Sequence, residues 1–408
     1  MLSPAVVLGL NPNALGTIRS LYGHGFDIIA LDRRPTSPID THRWMSSRTR
    51  LCRKIYVSPE RWSDSVVGEL IELGESLPAP GVLFPSADEH VAAMSAGRAE
   101  LAPLYRFALP ADETIRLVAD KSAFQGWAEE RGFAVPRTLH PVTTENLTKL
   151  AADIRYPCVV KPPARDEIWD RRFPRDKVLV AADEGELVSH LREAQQVAGS
   201  LMVQEAVPGP DTALIFSHAY CDAESRILAM WTGRKIRQLP RLYGTSTFAE
   251  TVRDDEVIRQ TERLLEELRC IGYASVEFKL DPRDGAYRIM EVTLARTWYP
   301  HYLGTVAGVN LPLVWYRDLV RCPPEPPPRC RYGIRWVDEY RDLVTSAEYV
   351  RSGSLSFGSW LASYRRTRAF ALASFRDPAP ALFIVLRLML SAWNVARRLL
   401  LRFLRGTG

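Results

Sequence analysis

Two glutamates, Glu277 and Glu291, flank a turn in the stretch GYASVEFKLDPRDGAYRIMEVTLARTW, residues 272–298. Within DPRDG, Pro282 fixes φ, Gly285 admits positive φ, and Asp281 and Asp284 can bond their own backbone, so the stretch is predicted to be a β-hairpin. On its first strand Val276, Phe278 and Leu280 share one face, and Ser275, Glu277 and Lys279 share the other. Pairing the strands about Asp284 sets Val276 opposite Val292, Phe278 opposite Met290 and Glu277 opposite Glu291. Like charges directly opposed across strands cost from a few tenths to about 1 kcal/mol unless a cation lies between them. A hard divalent cation answers that need: Mg²⁺ takes one or two carboxylates and fills its other positions with water and phosphate oxygens, which points to a nucleotide site. A solvated hairpin face would carry the same two glutamates without a metal, so the rest of the chain must decide.

The chain has 408 residues, enough for two or three domains. Its hydrophobic content of 46% and charged content of 25% are those of an ordinary globular protein, so disorder is not expected. The net charge is +5, and the basic residues are overwhelmingly arginine; the lysines are Lys54, Lys121, Lys149, Lys161, Lys177, Lys235 and Lys279. Each lysine is informative, because a compact ammonium does not replace a planar guanidinium. Six cysteines and seven histidines are scattered without metal-ligand or redox spacing, which argues against a zinc site and for reduced, cytoplasmic thiols. The N-terminal run shows no basic leader or cleavage site, so no secretory signal is expected.

The elements that must position the hairpin follow from pattern. AVVLGL reads as a buried strand, NPNALG as a loop, TIRSLYGHG as a short helix and FDIIALDRR as a second strand. GVLFPSADEHVAAMS repeats strand, loop and helix, so the first 110 or so residues read as an open, mostly parallel α/β domain. Gly9 and Gly16 do not spell the dinucleotide fingerprint, which disfavours a dehydrogenase. Further on, a helix carrying Lys121 leads to RYPCVVKPPA, a strand ending at Lys161. The charged connection ARDEIWDRRFPRDK then precedes the strand KVLVAA, the helix DEGELVSHLREAQQV, and the strand–break–strand run LMVQEAVPGPDTALIFSHAYCD.

Lys121, the VVKP strand with Lys161, the QEAVPGPD segment and the Glu277/Glu291 hairpin stand in an order and spacing that resembles the ATP-grasp superfamily, nearest its carboxylate-amine ligase branch. The resemblance implies an α/β and α+β fold: an N-terminal Rossmann-like pre-ATP-grasp domain (1–112), ATP-grasp subdomains at 113–200 and 201–320, an extension (321–380) and a basic amphipathic helix (381–408). It implies ATP and one or two Mg²⁺ ions as cofactors. It also implies that Lys121, Lys161 and Lys177 meet the phosphates. Glu205, with the backbone of Ala206 and Val207, would meet the adenine, and Asp211 the ribose. Glu277, Glu291 and Thr293 would face the metal, while Lys235, Arg237 and Arg296 would act at the reacting groups. The substrates would be a small carboxylate and an amine joined through an acyl phosphate. The pattern departs from the family at EVTLART, where Thr293 replaces an asparagine and Arg296 is displaced by one position. The 164–177 connection also lacks the glycines that usually wrap a phosphate. Both departures leave open a nucleotide-binding module with little or no catalysis.

The tail LFIVLRLMLSAWNVARRLLLRFLR gathers Arg387, Ser391, Asn394, Arg398, Arg402 and Arg405 on one helical face. Arg387 at its centre disfavours a membrane span. Two readings fit: a helix lying in an anionic membrane surface, or one packed on its own domain or on a homodimer partner. Nucleic acid is not an expected partner, because the basic face has no flanking aromatic platform.

Overall fold

The buried run Ala5–Leu8 forms β1, with β2 at Ile28–Arg33, β3 at Arg53–Val57, β4 at Gly81–Phe84 and β5 at Tyr105–Arg106. These strands form one sheet in the order β3-β2-β1-β4-β5, every pair parallel. The computed structural model describes residues 2–33, 45–140, 142, 153–163, 167–173, 178–323, 326–383, 385 and 389. The first helix begins earlier than the sequence reading places it. It runs Pro12–Leu21, because the Asn11 side chain accepts from the Ala14 amide and Pro12 takes the first helical position, so NPNALG is a helix start and not a loop. Asp32, at the end of β2, is fully buried and accepts from the Leu10 amide at 2.8 Å, holding the β1 turn. The chain divides into two units: residues 1–106 with 338–340 and 370–408, and residues 107–337 with 341–369. The second unit carries the residues in question.

That unit holds two sheets. In the smaller, β6 (Thr138–Leu139), β7 (Cys158–Lys161), β8 (Leu179–Ala181) and β9 (Met202–Glu205) lie in the order β6-β9-β7-β8, all antiparallel. Its core packs Val160, Val203 and Leu187 with Trp169 and Phe173. The last two come from the charged connection, where a short helix, Glu167–Arg172, buries the aromatic side chains while Arg172 pairs with Glu193. The connection is therefore anchored by its aromatics at its centre.

The larger sheet contains β10 (Leu214–Cys221), β11 (Ile227–Leu239), β12 (Thr245–Thr251), β13 (Gly272–Leu280), β14 (Tyr287–Leu294), β15 (Arg335–Val337) and β16 (Thr367–Phe370). Their order is β14-β13-β10-β11-β12-β15-β16. The predicted hairpin is β13–β14, but β13 also pairs with β10 and so lies inside the sheet, buried on both faces. The helix Asp255–Glu267 covers the Val276/Phe278 face, with Thr261 donating to Ser217 at 2.8 Å. Residues of the 321–380 extension supply β15 and β16 to this sheet. Among the described residues no helix is long and apolar enough to cross a membrane. Most of the expected amphipathic helix at 381–408 lies outside the described residues.

Bulges break the strand alternation in this sheet, two of them beside the residues in question. In β14 the register slips after Glu277↔Glu291, so Phe278 faces Ile289 and not Met290. In β11 an extra residue between Lys235↔Ala249 and Arg237↔Phe248 turns Arg237 away from the face of Lys235. Arg237 then forms a bidentate pair with Asp342 (2.7 and 2.8 Å) and lies over the Phe248 ring, with both charged side chains buried. Losing one member of a buried pair strands the other charge, so Arg237→Leu is expected to destabilise the protein by roughly 3–5 kcal/mol. Chemical denaturation measures this, and the Arg237→Leu/Asp342→Leu double variant should recover part of the loss; a single-variant loss near zero would show the pair to be unimportant.

Candidate functional site

Between the two sheets of the second unit lies a cleft of about 310 Å³. From the smaller sheet it is lined by Val159 and Lys161 of β7 and by Gln204 and Glu205 of β9, followed by Ala206 and Val207. From the larger sheet come Leu214, Lys235, Gln238, Glu277, Lys279, Met290 and Glu291. Lys121, the first residue of the helix Lys121–Glu130, completes the wall from a chain segment capped by Asp120. The turn between β11 and β12 brings Leu242, Tyr243 and Gly244 over the cleft. Gly244 is required there, since a Cβ would stand 2.1 Å from the Pro240 carbonyl oxygen.

Glu277 stands directly opposite Glu291, and both face the cleft. The cation beside Glu277 is a lysine: Lys235 Nζ donates to both of its carboxylate oxygens at 2.8 Å and to the Gly244 carbonyl at 3.2 Å. Glu291 has no hydrogen bond or ion pair among the described residues. Its electrostatic neighbour is Lys161, whose ammonium donates to Gln204 Oε1 at 2.9 Å. Burial first, then the charge of Lys121, pulls Lys161 down to about 8, with Glu291 acting in the opposite sense. Among the described residues no cluster of three or more His, Cys, Asp or Glu could hold a metal. Two facing carboxylates, one without a counter-ion, fit Mg²⁺, which fills its remaining positions with water and phosphate oxygens.

The other expected residues divide. Ala206 and Val207 line the cleft beside Glu205, but the Ala206 amide already donates to the Pro157 carbonyl, which leaves its own carbonyl for a ligand. Arg283, from the β13–β14 turn, approaches Glu205 to 3.7 Å and ties the two sheets together at that end. Asp211 does not line the cleft. Its buried carboxylate accepts from Gln238 Nε2 (2.6 Å), the Leu242 amide (3.2 Å) and the Tyr349 hydroxyl. Thr293 faces Ser275 across the hairpin, and Arg296 is buried over the Trp298 ring; neither lines the cleft, although Trp298 does. Arg237 is held away on the far face. Lys177 lies outside the described residues.

Lys279, Gln204 and Gln238 line the cleft as well, though the sequence reading gives them no role in it. The signal for Lys279 was present, since it alternates with Glu277 on one face. Gln238 carried none, because the β11 bulge alone brings it to this side.

No family model matches the chain. Over 200 residues it is 25% identical to the D-aspartate ligase of Enterococcus faecium (strain Aus0004), a match covering 47% of each sequence, so it spans about half the length of that curated relative. Among solved structures, the biotin carboxylase domain of the Hydrogenobacter thermophilus 2-oxoglutarate carboxylase, in complex with MgADP, ADP and bicarbonate, matches with a TM-score of 0.62 at 15% identity, covering 82% of this chain and 73% of that one. An ADP complex of N5-carboxyaminoimidazole ribonucleotide synthetase matches with a TM-score of 0.61 at 13% identity, covering 82% and 81%.

Lys161 sets a pH dependence. With its ammonium lowered to about 8, the charged form that attracts an anion prevails below that pH and is lost above it. Binding of inorganic pyrophosphate, followed calorimetrically, is therefore expected to weaken as pH rises through 8, by up to about tenfold per pH unit. Lys161→Met should abolish that slope, and an equal slope in both proteins would exclude Lys161 as its source.

Proposed function

We propose that the chain, whose fold is that of the solved structures above, is an ATP-grasp protein and acts as an ATP- and Mg²⁺-dependent ligase joining a carboxylate to an amine. The observation that carries this reading is one cleft lined by two opposed carboxylates, Glu277 and Glu291, and by the ammonium groups of Lys121 and Lys161. The name of the sequence relative, a D-aspartate ligase, supports ligation.

In the proposed reaction an oxygen of the substrate carboxylate attacks the γ-phosphorus of ATP. The bond to the β,γ-bridging oxygen breaks, and ADP leaves an acyl phosphate. The amine nitrogen then attacks the acyl carbon, the acyl C–O bond breaks, and phosphate departs as the nitrogen sheds a proton. Neither step needs a covalent bond to the protein, so its contribution is positioning and charge balance. Lys121 and Lys161 would hold phosphate oxygens by point charge. The end of β9 would meet the base through Glu205, the Ala206 carbonyl and the Val207 backbone, with Met290 and Val159 offering apolar surface. Glu277 and Glu291 would hold one Mg²⁺, which when bound draws charge from the phosphate oxygens. Lys235 keeps a further cation against the same carboxylate. A nucleotide-binding module with little turnover is the second reading, favoured by the withdrawal of Thr293 and Arg237 from the cleft.

Release of ADP, measured with purified protein across a panel of carboxylic acids and amines, tests the proposal. Stimulation by one acid–amine pair is expected; retained ATP·Mg²⁺ binding with no stimulation by any pair would favour the binding module. Glu291→Gln is expected to weaken Mg²⁺-dependent ATP binding at least about tenfold, a loss of about 1.4 kcal/mol, at an unchanged melting temperature. Unaltered affinity would remove Glu291 from the metal site.

A further inference from the structure

We propose that Lys279 and Gln238 form the contact that reads the ribose diol of the bound nucleotide, a role for which Asp211 is spent inside the protein. The proposal rests on the nucleotide reading above and concerns the same cleft. Asp211 cannot serve, since its carboxylate already takes the Gln238 amide group, the Leu242 amide and the Tyr349 hydroxyl, and its side chain does not reach the cleft.

What Asp211 does is orient Gln238. With Nε2 held at 2.6 Å from Asp211, the Gln238 Oε1 atom is buried, has no hydrogen-bond partner among the described residues and belongs to a cleft-lining side chain. A buried acceptor left unmet costs on the order of 1–3 kcal/mol, so a ligand hydroxyl that donates to it is favoured. Lys279 supplies the complementary group. Its side chain is buried and lines the cleft, and its ammonium makes no hydrogen bond among the described residues. Burial holds its ammonium below the usual lysine range, with Asp211 and Asp281 close by acting in the opposite sense and Lys235 adding to the lowering.

The cleft therefore offers an acceptor fixed by Asp211 and an ammonium donor, both close to Asp211. A vicinal diol presents a donor and an acceptor side by side and matches this pair. A purine edge is served instead by the β9 backbone, and phosphate oxygens offer nothing to a carbonyl acceptor.

Calorimetric titration of the full chain with ATP and with 2′,3′-dideoxy-ATP, each with Mg²⁺, tests the assignment. The wild-type protein should prefer ATP by tenfold or more. Lys279→Met and Gln238→Met should each reduce that preference to threefold or less while binding the dideoxy nucleotide as the wild type does, which also shows that the variants are folded. Full retention of the preference in both variants, or a wild-type protein that binds both nucleotides equally, would overturn the diol contact and leave the nucleotide site standing. A wild-type protein that binds neither would overturn both.

Discussion

The ion pair between Lys235 and Glu277 is the interaction around which the cleft is arranged. A carboxylate facing another carboxylate on adjacent strands is unfavourable, and burial raises the cost because little water remains to screen the repulsion. Lys235 bonds both oxygens of Glu277 and also reaches the Gly244 carbonyl, so one ammonium offsets the repulsion and holds the β11–β12 turn over the cleft. Glu291 is left with its charge uncompensated at short range and with Lys161 and Lys121 on the opposite wall. The cleft therefore carries positive charge where Lys121 and Lys161 line it and one carboxylate without a counter-ion, an arrangement suited to an anionic ligand that brings a divalent cation.

The surrounding architecture holds those charges close to one another. β13 is paired on both sides, the helix Asp255–Glu267 covers its apolar face, and the smaller sheet supplies the facing wall. Bulges then decide which side chains look into the cleft. In β14 the extra residue brings Met290 to the same side as Glu291; in β11 it sends Arg237 to the far face and brings Gln238 in. Arg237 and Asp342, buried together, attach the helix Glu339–Arg351 to the back of the sheet, and Tyr349 of that helix reaches Asp211. The segment after residue 320 is thus part of the frame that sets the site.

Much of this was legible in local chemistry. The turn DPRDG and the alternation on each side of it define the hairpin and the Glu277–Glu291 pairing, because strand period and turn geometry are properties of a few neighbouring residues. The parallel character of the first sheet followed from its buried apolar runs and intervening helices. Asn11 and Pro12 should have been read as a helix start, since both are favoured at those positions. The fates of Asp211 and Arg237 were not legible: each is decided by a partner more than a hundred residues away, Tyr349 and Asp342 respectively.

The amino-acid sequence by itself determined the elements, the opposed glutamates and the few lysines that meet a cleft, since these depend on short-range periodicity and on the scarcity of one residue type. The tertiary structure alone decided which charges remain available to a ligand. A carboxylate or guanidinium is spent or free according to what long-range packing and a one-residue bulge set beside it, and no local pattern carries that information.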